Sequence, residues 1–305
     1  MHQFTVDQTS ELSDRERSQV TALVATAAAH DGAEPLSEQF RLDLRSGSGV
    51  NHVLAYAGST LTGYAQFSDG AAELVVDPAV RRQGVGTALL AQVRRQVRVW
   101  AHGDVPAAAA FAAAHDLEVT RELFVLGLPL DGGPPLADPS LPDDLVVRAF
   151  EPGRDEDEWL RVNAAAFSHH PEQGDLTRDD LAQRMAEAWF DPAGFLLVVP
   201  REDPGTVAAF HWTKVHPAGE QGPARVGEVY VVGVDPAYQG RGLGRPLTLL
   251  GLQHLRREGL TDVILYVDGD NPAALTVYRG LGFTTRGVDR MYSRAVHPTV
   301  ERWGP

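Results

Sequence analysis

Two segments of the chain repeat one another. Residues 77–89 read DPAVRRQGVGTAL and residues 235–247 read DPAYQGRGLGRPL, so that Asp, Pro, Ala, two glycines and a leucine coincide without a gap. A spacing repeated this closely marks an internal duplication, and the chain is predicted to build one structural unit twice. Its 305 residues suit two domains. A Pro-, Gly- and Asp-rich stretch at 129–144, PLDGGPPLADPSLPDD, admits neither helix nor buried strand and is read as a linker. The expected division is an N-terminal domain at 1–128, the linker at 129–144 and a C-terminal domain at 145–305.

Each copy of the repeat has the same setting. An apolar strand comes first, at 72–76 and 228–234, and Asp-Pro ends it. A glycine-rich turn leads into an amphipathic segment, 85–99 in one copy and 243–258 in the other, the second closed by Gly259. In the second half a strand at 263–267, a helix at 271–280 and a strand at Phe283 follow. Upstream, 11–30 and 156–167 read as helices, and 53–67 and 196–215 as strands. The fold class is therefore α/β, an α+β arrangement with a mixed sheet in two tandem domains.

Composition narrows the chemistry. There is no cysteine, which excludes disulfides, thiolate catalysis and cysteine-ligated metal. A formal net charge of −14 makes nucleic acid and anionic membrane surfaces poor partners, while leaving room for a local anion pocket. The first ten residues lack a basic stretch followed by an apolar core, and a cytoplasmic enzyme is expected. An internal duplication suits a monomer. His169, His170, His211 and His216 are irregularly spaced without carboxylates at ligand offsets, so no metal is expected.

The glycine turns carry the functional signal. Arg81-x-x-Gly84-x-Gly86 and Gln239-x-x-Gly242-x-Gly244 lie between a strand and a helix. The first amides of a helix have no intrahelical partner, and the helix dipole favours negative charge there. Glycine lets the backbone approach a pyrophosphate closely. Arg241 and Arg245 are placed to add charge-assisted contacts. Neither a dinucleotide-binding G-x-G-x-x-G nor a Gly-Lys-Ser/Thr loop is present.

The pattern Gln/Arg-x-x-Gly-x-Gly after an apolar strand resembles the acetyl-CoA signature of the GNAT superfamily. Asn271-Pro272-Ala273-Ala274, Tyr278 and Leu281-Gly282-Phe283 resemble its next motif, in which the Asn opens a helix and the tyrosine points at the thioester sulfur. Over nearly its whole length the chain is similar to the mycothiol synthase family, a tandem GNAT group. The segments carrying this are Phe210-His211-Trp212-Thr213-Lys214-Val215-His216-Pro217, Gly227-Glu228-Val229-Tyr230-Val231, His170-Pro171-Glu172-Gln173-Gly174, Leu265-Tyr266-Val267, Asp31-Gly32 with Glu38, and Trp100-Ala101-His102-Gly103. The resemblance implies acetyl transfer from acetyl-CoA to the cysteine amine of cysteinyl-glucosaminyl-inositol, the last step in making the thiol mycothiol.

It also implies site residues. In the C-terminal half the acetyl-CoA site takes in Val232, Gly233 and Val234, then Gln239, Gly240, Arg241, Gly242, Leu243, Gly244 and Arg245. Asn271, Pro272, Ala273, Ala274, Leu275 and Thr276 complete it. A second acetyl-CoA in the N-terminal half would meet Leu74, Val75 and Val76, with Arg82, Gln83, Gly84, Val85, Gly86 and Thr87. The polar substrate would meet Glu38, Glu172, Lys214, Glu228 and Tyr266, Glu38 reaching over from the first half. Gly233 is expected to permit a bulge that exposes strand amides to the thioester.

Aminolysis of a thioester requires a neutral amine, stabilisation of the carbonyl oxygen and an outlet for the thiolate. Glu228 heads an otherwise apolar strand face with Tyr230, Val232 and Val234, and is the candidate base. Tyr278 is the candidate acid. Counting from the repeats, Gly70 stands where Glu228 stands, and the region matching the Asn271–Tyr278 motif reads PAAAAFAAAHDL. The N-terminal half is thus expected to bind without turning over. A tandem GNAT acting on an aminoglycoside or protein amine, or a non-catalytic acyl-CoA sensor, are the competing readings.

Overall fold

The computed structural model describes residues 4–46, 50–68, 70–93, 98–132 and 136–294. The chain forms two compact units. Unit 1 takes the chain up to Leu123 and again from Gly287 onward, and unit 2 takes Phe124–Arg286. The expected linker at 129–144 falls inside unit 2, where Leu130, Leu136 and Leu141 pack into apolar clusters. Leucines at intervals along a proline-rich segment hold it down without regular structure.

Unit 1 begins with strand β1 (Thr5–Thr9) and helix α1 (Asp14–Asp31). Ser13 and Glu16 close a capping box at the start of α1, and Gly32, in the left-handed region at φ 71°, ends it. Helix α2 (Glu38–Ser46) and strands β2 (Asn51–Ala57), β3 (Thr60–Phe67) and β4 (Ala71–Val76) follow. Helix α3 (Val85–Gln92), strand β5 (Arg98–Ala101), helix α4 (Pro106–Ala114) and strand β6 (Leu117–Pro129) complete its first stretch. The helix expected over 85–99 therefore stops at Gln92. Val93 is already extended at ψ 132°, and the valine-containing segment after it enters the sheet as β5.

Unit 2 contains strand β7 (Leu145–Ala149), helices α5 (Glu156–Ala166), α6 (Pro171–Gly174) and α7 (Arg178–Met185), and strands β8 (Phe195–Pro200), β9 (Ala209–His216) and β10 (Val226–Val234). Helix α8 (Gly244–Arg257), strand β11 (Asp262–Asp268), helix α9 (Pro272–Gly280) and strand β12 (Thr284–Arg294) follow. Strand β6 starts in unit 1 and ends in unit 2, whereas β12 starts in unit 2 and ends in unit 1.

The duplication is visible in the pairing. In unit 1, β2, β3 and β4 are antiparallel neighbours and β4 runs parallel to β5. In unit 2, β8, β9 and β10 are antiparallel and β10 runs parallel to β11. One face of each sheet carries the helices that precede the repeat. In unit 1, Val20, Leu23 and Ala27 of α1 pack with Tyr64 and Val75. In unit 2, Trp159 and Val162 of α5 pack with Phe195, Phe210 and Trp212. Trp159 meets all three rings edge-on at 5.4–5.6 Å, a favoured aromatic geometry. Among the described residues no helix is long and apolar enough to cross a membrane.

Candidate active site

The two parallel strand pairs separate at the same place. Strand β10 meets β11 only through Gly227, Glu228 and Val229, and from Val231 to Val234 it pairs with β9 alone. In unit 1, β4 meets β5 through Ala71, Ala72 and Glu73, and Leu74–Val76 pair with β3 alone. Each split frees backbone groups on one strand edge beside a glycine turn.

In unit 2 the ladder slips between Val229 and Val231, which places the bulge at Tyr230 and not at the expected Gly233. Gly233 serves another purpose. A Cβ there would lie 2.5 Å from the Phe210 ring, so only glycine fits beneath that side chain. Beyond Val234, the Asp235 carboxylate accepts from the Ala237 amide and holds a short 3₁₀ turn. Gly240 and Gly242 are left-handed at φ 77° and 74°, which β-carbon-bearing residues adopt at a cost. Residues 239–242 are exposed, while Leu243 is buried and anchors the loop to Leu247 and the neighbouring apolar cluster. No side chain caps α8, unlike α1 and α7, so its first amides are left without a side-chain partner.

The arginines are less available than their positions suggested. Arg241 bonds Asp144 at 2.6 Å, and Arg245 donates to the Gly280 carbonyl at 3.1 Å. The latter ties the start of α8 to the end of α9. Asn271 caps α9, accepting from the Ala274 amide at 3.0 Å, with Pro272 in the first turn. Leu275 is buried, while Pro272, Ala273 and Thr276 are exposed on the helix start. Tyr278 packs with Val232 against the cluster containing Val229, Leu265 and Val267, its ring on Phe283 at a centroid distance of 5.8 Å. Burial pushes the Tyr278 phenol up to about 12.

Glu228 is 5% exposed and stands directly opposite Lys214 across the β9–β10 ladder. The Lys214 ammonium lies over the rings of Trp189 and Tyr230, at 4.9 and 5.4 Å. Glu228 Oε2 is 2.5 Å from Nε2 of His216. Tyr266 is two residues along β11 from Ile264, the parallel neighbour of Glu228, and is 36% exposed. The structure thus brings Glu228 and Lys214 together. Glu38 belongs to unit 1, where it opens α2. Glu172 is on α6, and its side chain lies outside the described residues.

In unit 1 the glycine turn borders a cavity of about 490 Å³. Leu74, Val75, Val76, Arg82, Gly84, Val85, Gly86 and Thr87 line it, and of the nine expected residues Gln83 alone does not. Gly84 is left-handed at φ 91°, and Arg82 takes φ 65° where the second copy has Gly240. Arg81 forms two hydrogen bonds to Asp31, at 2.7 and 2.6 Å. The α4 helix occupies the place of α9, and matching their nine residues sets Ala112 against Tyr278 and Val105 against Asn271.

Glu73, Asp289 and His216 were given no role by the sequence reading, and His102 entered it only within a resembling segment. Counting from the repeat set Gly70 against Glu228, but the ladder puts a buried carboxylate, Glu73, on the equivalent face of β4. Glu73 accepts from the Ser37 amide at 2.8 Å and bonds His102 at 3.0 Å. The other nitrogen of His102 meets Asp289 at 2.9 Å. Burial lowers the basicity of His102, and the two carboxylates outweigh it, raising the imidazole to about 10. The third is His216, which the sequence offered as part of a resembling segment and as a dismissed metal ligand. His211, grouped with it there, is structural. Its Nδ1 lies 2.7 Å from the Leu247 carbonyl, and burial lowers it to about 4.

The comparisons with known proteins agree with this arrangement. The family described as "Acetyltransferase (GNAT) family" matches residues 17–115 and 157–283. A mycothiol acetyltransferase of Streptomyces avermitilis is 50% identical over 300 residues, 94% of each chain. One from Thermobispora bispora is 50% identical over 284 residues, covering 90% of this chain and 95% of the relative. One from Rhodococcus erythropolis is 49% identical over 288 residues, covering 91% and 96%. Among solved structures, a tandem GNAT protein from the clavulanic acid biosynthesis pathway superposes with a TM-score of 0.71 at 21% identity, covering 95% of this chain and 98% of its own. A GCN5-related N-acetyltransferase from Sphaerobacter thermophilus gives 0.65 at 21% identity, covering 95% and 94%. Twice-built glycine turns, split parallel strands and half-identity to these relatives along almost the whole chain have one meaning: the chain belongs to the GNAT acetyltransferase family, in its mycothiol acetyltransferase group.

Proposed function

We propose that the chain transfers acetyl from acetyl-CoA to the cysteine amine of cysteinyl-glucosaminyl-inositol, completing mycothiol, with the chemistry in unit 2. The observation that carries this is a buried carboxylate, Glu228, on the strand that splits from its parallel neighbour beside the left-handed Gly240–Gly242 loop. The freed edge at Val232–Val234 suits a pantetheine arm, and the uncapped start of α8 suits its pyrophosphate.

Acetyl-CoA supplies the activated acetyl group. The amine nitrogen bonds to the carbonyl carbon, the carbon–sulfur bond breaks, and the sulfur takes a proton. A free α-amine titrates at about 7.7–8.0, so much of it arrives as ammonium. Glu228 accepts the ammonium proton, directly or through water. Amides of the split strand steady the carbonyl oxygen as negative charge develops. Tyr278 faces the departing sulfur as a neutral donor, a state its raised phenol keeps across physiological pH. Lys214, Tyr266 and Glu172 are the unit 2 side chains assigned to the polar acceptor.

Unit 1 binds a second acetyl-CoA in its 490 Å³ cavity without turning it over. Ala112 stands where a thiolate donor would be needed, and Glu73 has both oxygens engaged. A net charge of −14 disfavours nucleic acid and anionic membranes as partners, which suits an enzyme of small-molecule metabolism. The deciding experiment is CoA release with purified cysteinyl-glucosaminyl-inositol. Rapid turnover supports the assignment. Turnover with an aminoglycoside or peptide amine alone changes the acceptor, and tight acetyl-CoA binding without any turnover removes the enzymatic reading.

A further inference from the structure

We infer that His216 is a positioning residue for acetyl transfer: it holds one oxygen of Glu228 and leaves the other to take the acceptor's ammonium proton. The inference rests on Glu228 being the base. His216 ends β9 and pairs with Val226, two residues before Glu228, so the two side chains are diagonal neighbours on one sheet face. The Nε2–Oε2 distance is 2.5 Å, and the two side chains are 3% and 6% exposed. Glu228 Oε1 makes no hydrogen bond to another described residue.

The ring is held between two acids. Its Nδ1 faces Glu220 Oε1 at 3.5 Å, within ion-pair reach but long for a hydrogen bond. The charged groups around it are Glu220 from the β9–β10 connection, Glu228 from β10 and Lys214 from β9 itself. Burial lowers His216, but Glu220 and Glu228 outweigh both burial and the Lys214 charge and raise it to about 9. Below that pH both ring nitrogens carry protons, so the imidazolium donates to Oε2 and has no lone pair to offer the substrate. It therefore acts through Glu228. A buried carboxylate with a single charge-assisted partner has a fixed carboxyl plane, and its second oxygen is the one that remains to accept. The same contact compensates the burial of the carboxylate on an otherwise apolar strand.

The test compares full-length His216→Gln, His216→Leu, Glu228→Gln and the double variant His216→Leu/Glu228→Gln, with acetyl-CoA and cysteinyl-glucosaminyl-inositol. Gln keeps a neutral donor, and Leu removes it. The expected kcat losses are about 5-fold for His216→Gln and about 50-fold for His216→Leu, with KM for acetyl-CoA within about twofold. The residual rate of His216→Leu should climb with pH as the amine deprotonates unaided, as it does in Glu228→Gln. The double variant should be no slower than Glu228→Gln, because the imidazole has nothing left to position. Wild-type kcat and pH profile in both single His216 variants overturns the inference, as do losses that multiply in the double variant. Should His216→Leu fail to fold, His216→Gln decides by the same criteria. Wild-type turnover in Glu228→Gln instead removes the base assignment, which separates the two failures.

Discussion

Glu73 and Glu228 occupy the same face of equivalent strands, yet among the described residues Glu73 has both carboxylate oxygens bound and Glu228 only one. Glu73 is held by the Ser37 amide and His102, groups from the approach to α2 and from the segment after β5. It braces unit 1. The second oxygen of Glu228 bonds no described residue, as the proposed base requires. Glu228→Gln should lower kcat/KM by about 100-fold or more, the usual range for losing a general base. The residual activity should depend more steeply on pH near the amine's own titration. Glu73→Gln should leave kcat near wild type and lower the melting temperature. Steady-state CoA release and thermal unfolding measure both, and a Glu73→Gln enzyme that folds normally but has lost turnover breaks this division of roles.

The Glu73–His102–Asp289 cluster makes the stability of unit 1 sensitive to alkali. His102 is raised from its unfolded value near 6.5 to about 10. A histidine raised on folding contributes fully below its unfolded value, and the contribution disappears as pH rises through the folded one. The advantage of wild type over His102→Asn should be full at pH 6, smaller at pH 8 and nearly gone above pH 10. Thermal unfolding of the two proteins across that range checks it. A melting-temperature gap that stays constant with pH assigns the cluster a packing role alone.

The parts legible in sequence were those with a local cause. A left-handed glycine after Asp-Pro specifies the turn by itself, and both copies carried it at the same spacing. Glu228 stood out because a charged residue leading an otherwise apolar strand face is unusual. The parts that were not legible depend on residues far apart in the chain. His102 and Asp289 are separated by 187 positions, and nothing near either one announces the other. The bulge at Tyr230 was misplaced to Gly233 because glycine looked like the cause, whereas the Phe210 ring across the ladder is what forbids a side chain there. Glu73 was missed for a different reason: it shares a face with Glu228 but stands at another position along its strand, and its partners Ser37 and His102 lie 36 and 29 residues away in the chain. The proline-rich segment at 129–144 looked unstructured because its leucines find partners only in the folded unit.

The two glycine turns can be disabled separately. A Cβ at Gly84 or Gly242 meets nothing within 4 Å, but both residues have φ values that a branched side chain resists. Valine at either position should therefore distort the loop at a cost of about 1–2 kcal/mol without a packing clash. Gly242→Val should raise KM for acetyl-CoA at least about tenfold. Gly84→Val should reduce acetyl-CoA binding from two sites to one in calorimetry while kcat stays within about twofold. Loss of turnover in a well-folded Gly84→Val protein means that the unit 1 cofactor supports catalysis.

His211 gives a prediction about packing. A Cβ on Gly251 would lie 2.0 Å from the His211 ring, which is fully buried and anchored to the Leu247 carbonyl. The ring cannot withdraw without giving up that bond. Gly251→Ala should destabilise unit 2 by about 1–3 kcal/mol, despite the better helix propensity of alanine. Denaturant unfolding decides, and a stabilised variant means that β9 and α8 are free to separate slightly.

Tyr278 is the proposed acid, and its contribution can be separated from binding. The phenol is raised to about 12 by burial, so it stays protonated wherever the enzyme is stable and introduces no alkaline limb below about pH 11. Tyr278→Phe preserves the ring contact with Phe283 and removes only the hydroxyl. It should lower kcat by about 10–100-fold and leave KM for acetyl-CoA within about twofold, since the interaction gains strength only as charge builds on sulfur. The size of the loss should depend on the leaving group. A thioester of a more acidic thiol departs without help, and with it the difference between Tyr278→Phe and wild type should shrink severalfold. An equal loss with both thioesters places the hydroxyl in binding or in packing, and removes it from the step in which the carbon–sulfur bond breaks.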